Sequence, residues 1–500
     1  MREEELSKTT DVCWVDIQDR EGRYMFLFSI SRVPIRLQKA ERRWGTKPIH
    51  GQREVVERAY NQRQSVHPKI IFYMLATPYF RNWVIDLNAS KKYDVIVVGG
   101  GTGGFSAAVS AARLGVKVLL VERYGFLGGT ITAGLVNPFM PFHAGKQQII
   151  GGIFQEVIDR LEGMGGYDAK TRAFDPEIMK YILDRIVLEA GVDLLLHTVF
   201  VGVSRKGSRV EGIVLHNKSG FHSVSADIII DGTGDGDVAV SAGAPYEKGR
   251  PKDGLMQPMT LSFDLAGVRQ DEMPSKGEIN RAYREAKDKG IIACPREDVL
   301  WFHTVHRGII HFNTTRIIRV DGTEAEDLTK AEIEGRRQMF EIVDWLKKTF
   351  PAFRDAYIVR SGVQVGVRET RRIIGEYIMT AEDIVQAHKF PDGICRGSYP
   401  IDIHNPTGEG TIIIPPPPGD YYEIPYRCLI PLKVENLLIG CRCISATHEA
   451  HAAIRIIPII MGVGQAAGVA AALCIRHETS PREIDPSLLR ETLRSQGAIL

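Results

Sequence analysis

Residues 93–98 read Tyr-Asp-Val-Ile-Val-Val, an apolar, β-branched run of the kind that a parallel sheet buries on both faces. A cluster of glycines follows at once. Residues 105–114, rich in alanine and ended by Gly115, predict a helix, and 116–121 repeat the buried-strand pattern. Together these segments predict a βαβ unit. Between residues 142 and 190 the apolar spacing is mainly helical, with Asp175-Pro176 as a helix start and Gly191 as a stop. Residues 192–203, 210–216 and 223–230 predict strands of a small antiparallel layer returning to the main sheet. Further on, helical charge patterns occur at 278–289 and 329–348, inside a mixed stretch. The four prolines at 415–418 fit neither a helix interior nor a central strand and predict an extended connector. Residues 434–440 predict a last strand, and 458–475 an Ala/Gly-rich helix.

The first 92 residues follow no sustained period. Short apolar bursts at 24–30 and 70–75 are separated by Arg/Gln-rich stretches, which predicts a peripheral appendage rather than a dedicated binding module. A chain of 500 residues exceeds what one core organises. The expected division is an N-terminal extension over 1–92, a Rossmann-like α/β domain over 93–245 completed by 426–478, an inserted mixed α+β substrate or cap domain over 246–425, and a C-terminal tail over 479–500.

Charge adds little for the whole chain and something for its parts. The net charge of +2 gives no general reason to expect nucleic acid or an anionic membrane as partner. Residues 1–92 carry a net of +6 and 93–500 a net of −4, so a basic extension precedes a mildly acidic body. The seven cysteines form neither a CxxC pair nor a zinc pattern, and no metal site is expected. A reducing cytoplasm fits this usage. No run of 18 or more uncharged apolar residues is read, and the N-terminus opens with Arg-Glu-Glu-Glu rather than a basic end before an apolar core. That argues against secretion and against a membrane span.

The glycine cluster carries the first chemistry. Gly99, Gly101 and Gly104, with Gly103 between them, spell Gly-x-Gly-x-x-Gly directly after a buried strand and before a helix. The first glycine permits the tight turn, the second lets backbone approach a pyrophosphate, and the third lets helix and strand pack closely. The helix N-terminus then offers unpaired N–H groups to the phosphates. Glu122, 18 residues after Gly104 at the end of the second strand, is placed to accept hydrogen bonds from an adenosine ribose, with Arg123 beside it. Up to this point NAD and FAD are equally served. Two features favour the longer cofactor: a second glycine stretch at 125–130 containing Gly128, Gly129 and Thr130, and a later strand ending in Asp231-Gly232-Thr233-Gly234, where backbone can again approach a ligand.

These segments resemble the FAD-dependent oxidoreductase family of two-domain flavoproteins, distantly related to the fumarate reductase and succinate dehydrogenase flavoproteins. The resemblance covers about 93–478 and is most specific at 125–138 (GFLGGTITAGLVNP), 366–377 (GVRETRRIIGEY), 399–405 (YPIDIHN) and 434–468 (VENLLIGCRCISATHEAHAAIRIIPIIMGVGQAAG). It implies FAD across the domain junction, with Glu122 at the ribose and Gly128 and Gly129 along the pyrophosphate and ribityl chain. Gly440, Arg442 and a helix opening at Gly462-Val463-Gly464-Gln465 would lie near the isoalloxazine ring. A positive helix end there would stabilise the anionic reduced flavin.

The flavin would supply the hydride chemistry, leaving the protein to bind a small-molecule substrate and move protons. Arg442, which directly follows the last strand, His448 and His404 are the leading catalytic candidates; Arg455, Glu449 and His451 lie beside them, and Arg368, Arg371 and Arg372 in another segment. Arginine suits a substrate carboxylate, and histidine suits proton transfer near neutral pH. Each histidine is equally open to a role in orienting backbone or cofactor. Tyr399 and Tyr426 are further acid–base options. Three functions are compatible with this set: hydride transfer between FAD and a small anionic organic substrate, thiol–disulfide exchange through Cys441 and Cys443, or a non-catalytic flavin sensor with an electron-transfer partner. Against the second, burial of the two cysteines as small apolar side chains is the plainer reading.

Overall fold

The computed structural model describes residues 92–500 and, before them, two short strands, Asp16–Gln18 and Tyr24–Phe26, which pair antiparallel. The rest of the extension, including its predicted appendage character, lies outside the described residues. By compactness, Tyr93–Ile213 with Ser225–Leu500 form one unit, and Met1–Lys92 with Val214–Val224 another. Every candidate site residue belongs to the first.

The predicted βαβ unit is present as β1 (Lys92–Val98), α1 (Thr102–Ala112) and β2 (Val118–Val121). β1 and β2 run parallel, with Val95 opposite Val118 and Val98 opposite Val121. Val95, Ile96 and Val97 are fully buried, as a strand covered on both faces requires. β3 (Asp193–Leu195) extends the parallel pairing from β2. β4 (Val199–Lys206), β5 (Arg209–Asn217) and β6 (Gly220–Asp231) continue the same sheet beyond β1, in the order β4-β5-β6-β1-β2-β3. β7 (Leu437–Ile439) then joins β6 in parallel, Ile230 opposite Leu438. The fold class is α/β, as the sequence predicts.

Two details differ from the sequence reading. The expected strand over 192–203 is two strands, β3 and β4, divided at His197, whose φ is 51°. A single left-handed residue without glycine leaves no mark in an apolar pattern, and the two pieces serve opposite ends of one sheet instead of a separate layer. Helix α1 opens at Thr102, three residues before the predicted start, so Gly103 and Gly104 lie inside it. A Cβ on Gly104 would stand 1.8 Å from the Gly99 carbonyl oxygen and one on Gly103 1.9 Å from that of Gly440. Helix propensity is overruled by the closeness of the packed backbones.

Helices α2 (His448–Ile454) and α3 (Ile457–His477) complete this domain. α3 lies against α1, where a Cβ on Gly464 would come within 2.0 Å of Gly103 O and one on Gly468 within 2.1 Å of Ala107 O. Among the described residues α3 is the one helix long and apolar enough to cross a membrane, and 94% of its most apolar window is buried inside the protein. Its all-round apolarity is that of a helix enclosed by protein.

The inserted substructure is α+β. An antiparallel sheet in the order Trp301–His303, Ile310–Phe312, Phe263–Ala266, Tyr357–Ser361 packs with helices Lys276–Asp288 and Ala325–Thr349. Its core runs from Met259 to Val365 and includes the stacked rings of Phe263 and Phe312. Between this core and β7 the chain forms small strand pairs, among them the hairpin of Ile401–His404 with Thr411–Ile414. The prolines at 415–418 follow that hairpin directly.

Candidate active site

The residues that follow β1, β2, β6 and β7 converge on one cavity of about 970 Å³. Ligands bind at such strand ends in open α/β sheets. Gly99 (φ 96°) turns the chain out of β1, its N–H donating to Val121 O at 2.7 Å. Gly101 caps α1 in an extended conformation, φ −65° and ψ −176°, with no side-chain cap and no acidic residue in the first turn. Any residue can adopt those angles. A Cβ at Gly101 would also meet no protein atom closer than 3.9 Å, so neither strain nor protein packing demands glycine there. What the position keeps clear is the cavity in front of the uncapped amides of α1. That fits a dinucleotide whose pyrophosphate is cradled by backbone.

Glu122 lines the same cavity. It is 5% exposed, and its carboxylate accepts hydrogen bonds from Gly100 N (2.7 Å) and Tyr124 N (2.9 Å). Burial pushes its pKa up, and those two N–H groups pull against it. Glu122 therefore shapes the glycine loop while lining the cavity. Arg123 and Tyr124 both bond Gln364. Gly128 (φ 106°) donates from its N–H to Gly100 O at 2.9 Å, while Gly129 and Thr130 line the cavity beside Gly101. Gly232, Thr233 and Gly234 line it from the end of β6. Asp231 lies behind them, fully buried, its carboxylate accepting from Thr233 N, Thr233 Oγ1 and Ala239 N. Burial pushes its pKa up to about 6. It holds the loop at 232–236 from beneath.

The inserted substructure and the hairpin contribute the cationic part of the wall. Arg296, Arg368 and Arg455 line the cavity, with Tyr399, Asp402 and His404. Arg296 is 7% exposed and its Nε has no hydrogen-bond partner. Arg368 is anchored through Nη1 to Pro258 O (2.7 Å) and Thr260 Oγ1 (2.6 Å). Among the described residues neither arginine forms an ion pair. Arg455 reaches Asp402 at 3.9 Å, and Arg316, 1% exposed, pairs with Glu297 at 2.9 Å.

His404 sits within this group. Arg316 Nη2 lies 3.2 Å from its Nδ1. A guanidinium only donates, so Nδ1 accepts and the ring proton is on Nε2. Burial, followed by the charges of Arg368, Arg296, Arg455 and Arg316, holds His404 well below the usual histidine range. It is a neutral imidazole with an Nε2–H, 3.6 Å from Asp402 Oδ2. Tyr399 donates its hydroxyl to the same Oδ2 at 2.8 Å, and burial raises its pKa. Asp402 thus connects Tyr399, His404 and Arg455. Sequence reasoning did not single out Asp402, Arg296 or Arg316. The Asp-x-His alternation of residues 402–404, period two in a strand, is the one signal that places Asp402 on the face of His404.

The other predicted residues have definite places. Arg442 lines the cavity, but its Nη2 is held by Asp235 at 2.6 Å, and its guanidinium packs on Gly234. His448 is not among the lining residues. It is 3% exposed, with Nδ1 at 2.8 Å from Glu369 Oε1, and Glu369 in turn pairs with Arg372 at 2.5 Å. Arg371 bonds Asp237 at 2.6 Å. His451 is buried beside His448, and Tyr426 bonds Pro481 O. Gly440 and Gly464 act in close packing against Gly103, and Gln465 Oε1 accepts from Ile153 N at 3.2 Å and is not among the lining residues. Helix α3 opens at Ile457, with Pro458 in its first turn, close to the start that the pattern predicts and not at Gly462 as the resemblance implies. Proline at that position ends the preceding chain direction and starts the helix, so Ile456, Ile457 and Ile460 reach the cavity. Cys441 Sγ and Cys443 Sγ are 3.2 Å apart and both buried. Their mutual hydrogen bond and then burial raise Cys443 well above the thiol range, so it is held as a thiol rather than the thiolate that exchange chemistry needs.

Comparison with known proteins gives a consistent picture. The profile of the family described as FAD dependent oxidoreductase matches residues 94–493. A thiamine thiazole synthase from Methanococcus aeolicus is 34% identical over 152 residues, 29% of this chain and 55% of that protein. Digeranylgeranylglycerophospholipid reductase 2 from Methanothermobacter thermautotrophicus is 29% identical over 196 residues, 36% of this chain and 48% of that protein. The chain thus spans about half the length of these relatives. Among solved structures, a geranylgeranyl bacteriochlorophyll reductase-like protein from Thermoplasma acidophilum aligns over 81% of this chain and 83% of its own, with 13% identity and a TM-score of 0.43.

Proposed function

Because the chain belongs to the FAD-dependent oxidoreductase family, and FAD is its cofactor, we propose that it transfers a hydride between the flavin and a small anionic organic substrate. The observation that carries this reading is the pair Arg296 and Arg368. Both are cationic side chains at the cavity wall, and neither forms an ion pair with a carboxylate among the described residues. Buried charge is costly unless paired, and a bound anion is the natural partner for two guanidiniums facing a ligand cavity.

The flavin supplies the two-electron chemistry when bound. The chain's own residues bind, orient and protonate. Arg368, fixed through Nη1, is preorganised to hold an anionic group in one orientation. His404 carries a transferable proton at Nε2, and Tyr399 and Asp402 form a short path that can replace it. The uncapped end of α1 and the loops at 128–130 and 232–234 hold the dinucleotide. The six described cysteines are all free and buried, which supports the expectation of a reducing, cytoplasmic setting. An external electron partner belongs to the same proposal.

The test is anaerobic reduction of the FAD-loaded protein by a panel of hydroxy acids, amines and their uncharged esters, with enoates offered to the reduced protein. Anions should react and their esters should not. Arg368→Gln should slow reduction by the active anion on the order of 10²-fold while dithionite still bleaches the flavin at the normal rate. Equal reactivity of acid and ester would overturn the reading.

A further inference from the structure

The arginine cluster carries a countable charge. Four guanidiniums, Arg296, Arg316, Arg368 and Arg455, act on His404 together. Two carboxylates accompany them: Glu297 bound to Arg316 at 2.9 Å, and Asp402 near Arg455 at 3.9 Å. His404 contributes no charge, because the Arg316 guanidinium, which can only donate, approaches its Nδ1. The remaining cavity-lining arginines on this side, Arg371 and Arg442, are matched by Asp237 and Asp235. Two positive charges are therefore left over in the cluster, and Arg296 and Arg368 are the two of the four guanidiniums without an ion pair among the described residues.

We propose that the substrate is a dianion, either a phosphate monoester or a molecule with two carboxylates, and that Arg296 and Arg368 each neutralise one of its charges. The inference rests on the reading of this cavity as the substrate site. Burial, and then the neighbouring guanidiniums of Arg455, Arg296 and Arg316, press against the charged form of Arg368, and a monoanion would relieve only half of the excess. Both arginines also keep donors free for a ligand. Arg368 spends Nη1 on Pro258 and Thr260, leaving Nη2 with a long 3.5 Å contact to Asn313. Arg296 has a buried Nε without a partner. The Nε2–H of His404 and the Arg455 guanidinium are further donors on the same wall. This geometry suits oxygens that carry more than one charge.

The test is calorimetric titration of the FAD-loaded protein at constant ionic strength. The probes are phenyl phosphate and malonate, against benzoate and methanesulfonate as monoanions. A dianion is expected to bind on the order of 10-fold or more tightly than either monoanion. Which of phenyl phosphate and malonate wins decides between the two sources of charge. Affinity for phenyl phosphate should rise between pH 5 and 7 as its second proton, with a pKa of about 6, is lost. In Arg296→Gln and in Arg368→Gln the advantage of dianion over monoanion should disappear, whereas Arg296→Lys should keep it. Equal affinity of the unmodified protein for monoanions and dianions overturns the assignment, whatever the variants do. The outcome is separable from hydride transfer. Dianion preference without flavin reduction by any anion would retire the redox reading alone, and efficient reduction by a monoanion with no charge preference would retire this one.

Discussion

Replacing Gly101 by alanine separates cofactor binding from folding more cleanly than any other change at the glycine loop. Its backbone, at φ −65° and ψ −176°, is open to every residue, and the added methyl would meet nothing nearer than Gly129 Cα at 3.9 Å. Alanine lowers the entropy of the unfolded chain, a gain of about 0.4–1 kcal/mol, and is a poorer helix N-cap than glycine by a similar amount. The flavin-free variant should therefore melt within a few degrees of the parent. The methyl projects into the space before the uncapped amides of α1, where a pyrophosphate must come within hydrogen-bonding distance. Loss of two charge-assisted hydrogen bonds, at about 1.5–3 kcal/mol each, would weaken FAD binding on the order of 10² to 10⁴-fold. The contrast is Gly104→Ala, whose Cβ would lie 1.8 Å from Gly99 O and should compromise the fold itself. Thermal melts of flavin-free protein and titration by FAD fluorescence quenching measure the two quantities. Wild-type FAD affinity in Gly101→Ala would refute the argument that this position is kept clear for the dinucleotide.

Other expectations follow from the same geometry. Arg442→Ala removes the partner of Asp235 and the packing on Gly234, so flavin content after gel filtration should fall; full retention combined with slowed flavin reduction would place Arg442 at the substrate instead. Tyr399→Phe removes the hydroxyl bonded to Asp402 and should slow the proton-coupled step about 10- to 10²-fold with FAD affinity unchanged, as read by stopped-flow absorbance. The double variant Cys441→Ser, Cys443→Ser should retain turnover, and its loss would revive the thiol mechanism. His451 and His404 are both held well below the usual histidine pKa, by burial first and neighbouring arginines second. The unfolded chain takes up their protons below about pH 6.5 while the folded chain does not, so their contribution to stability is present at neutral pH and declines as pH falls, by up to about 1.4 kcal/mol per unit for each group. Asp231, pushed up to about 6, works in the opposite direction over the same range. Urea midpoints between pH 8 and 5 should accordingly fall less steeply in His451→Phe than in the parent, and parallel profiles would contradict the assignment.

The nucleotide half of this protein was legible in the residues themselves. A buried β-branched strand, a glycine turn, a helix of small residues and an acidic strand end are consecutive in the chain, and their chemistry depends on local backbone: a positive φ at Gly99, an uncapped helix end at Gly101, close approach of Gly104 to Gly99. Local pattern failed where a turn had no glycine, as at His197, whereas the helix start it places at residue 458 lies one residue from the observed start at Ile457, nearer than the opening at Gly462 that the resemblance implies. The substrate half depended on partners far apart in sequence. Arg442 and His448 follow the last strand and look equally reactive, yet Asp235 and Glu369, 207 and 79 residues away, occupy both of them. Arg368 stands among several candidate arginines in the sequence and nothing there marks out Arg296, and only folding shows that neither forms an ion pair among the described residues. Whether a charged side chain is paired, buried or left facing a cavity is a property of what packs around it. Electrostatic pairing acts through space, so that part of the site existed only in the tertiary structure.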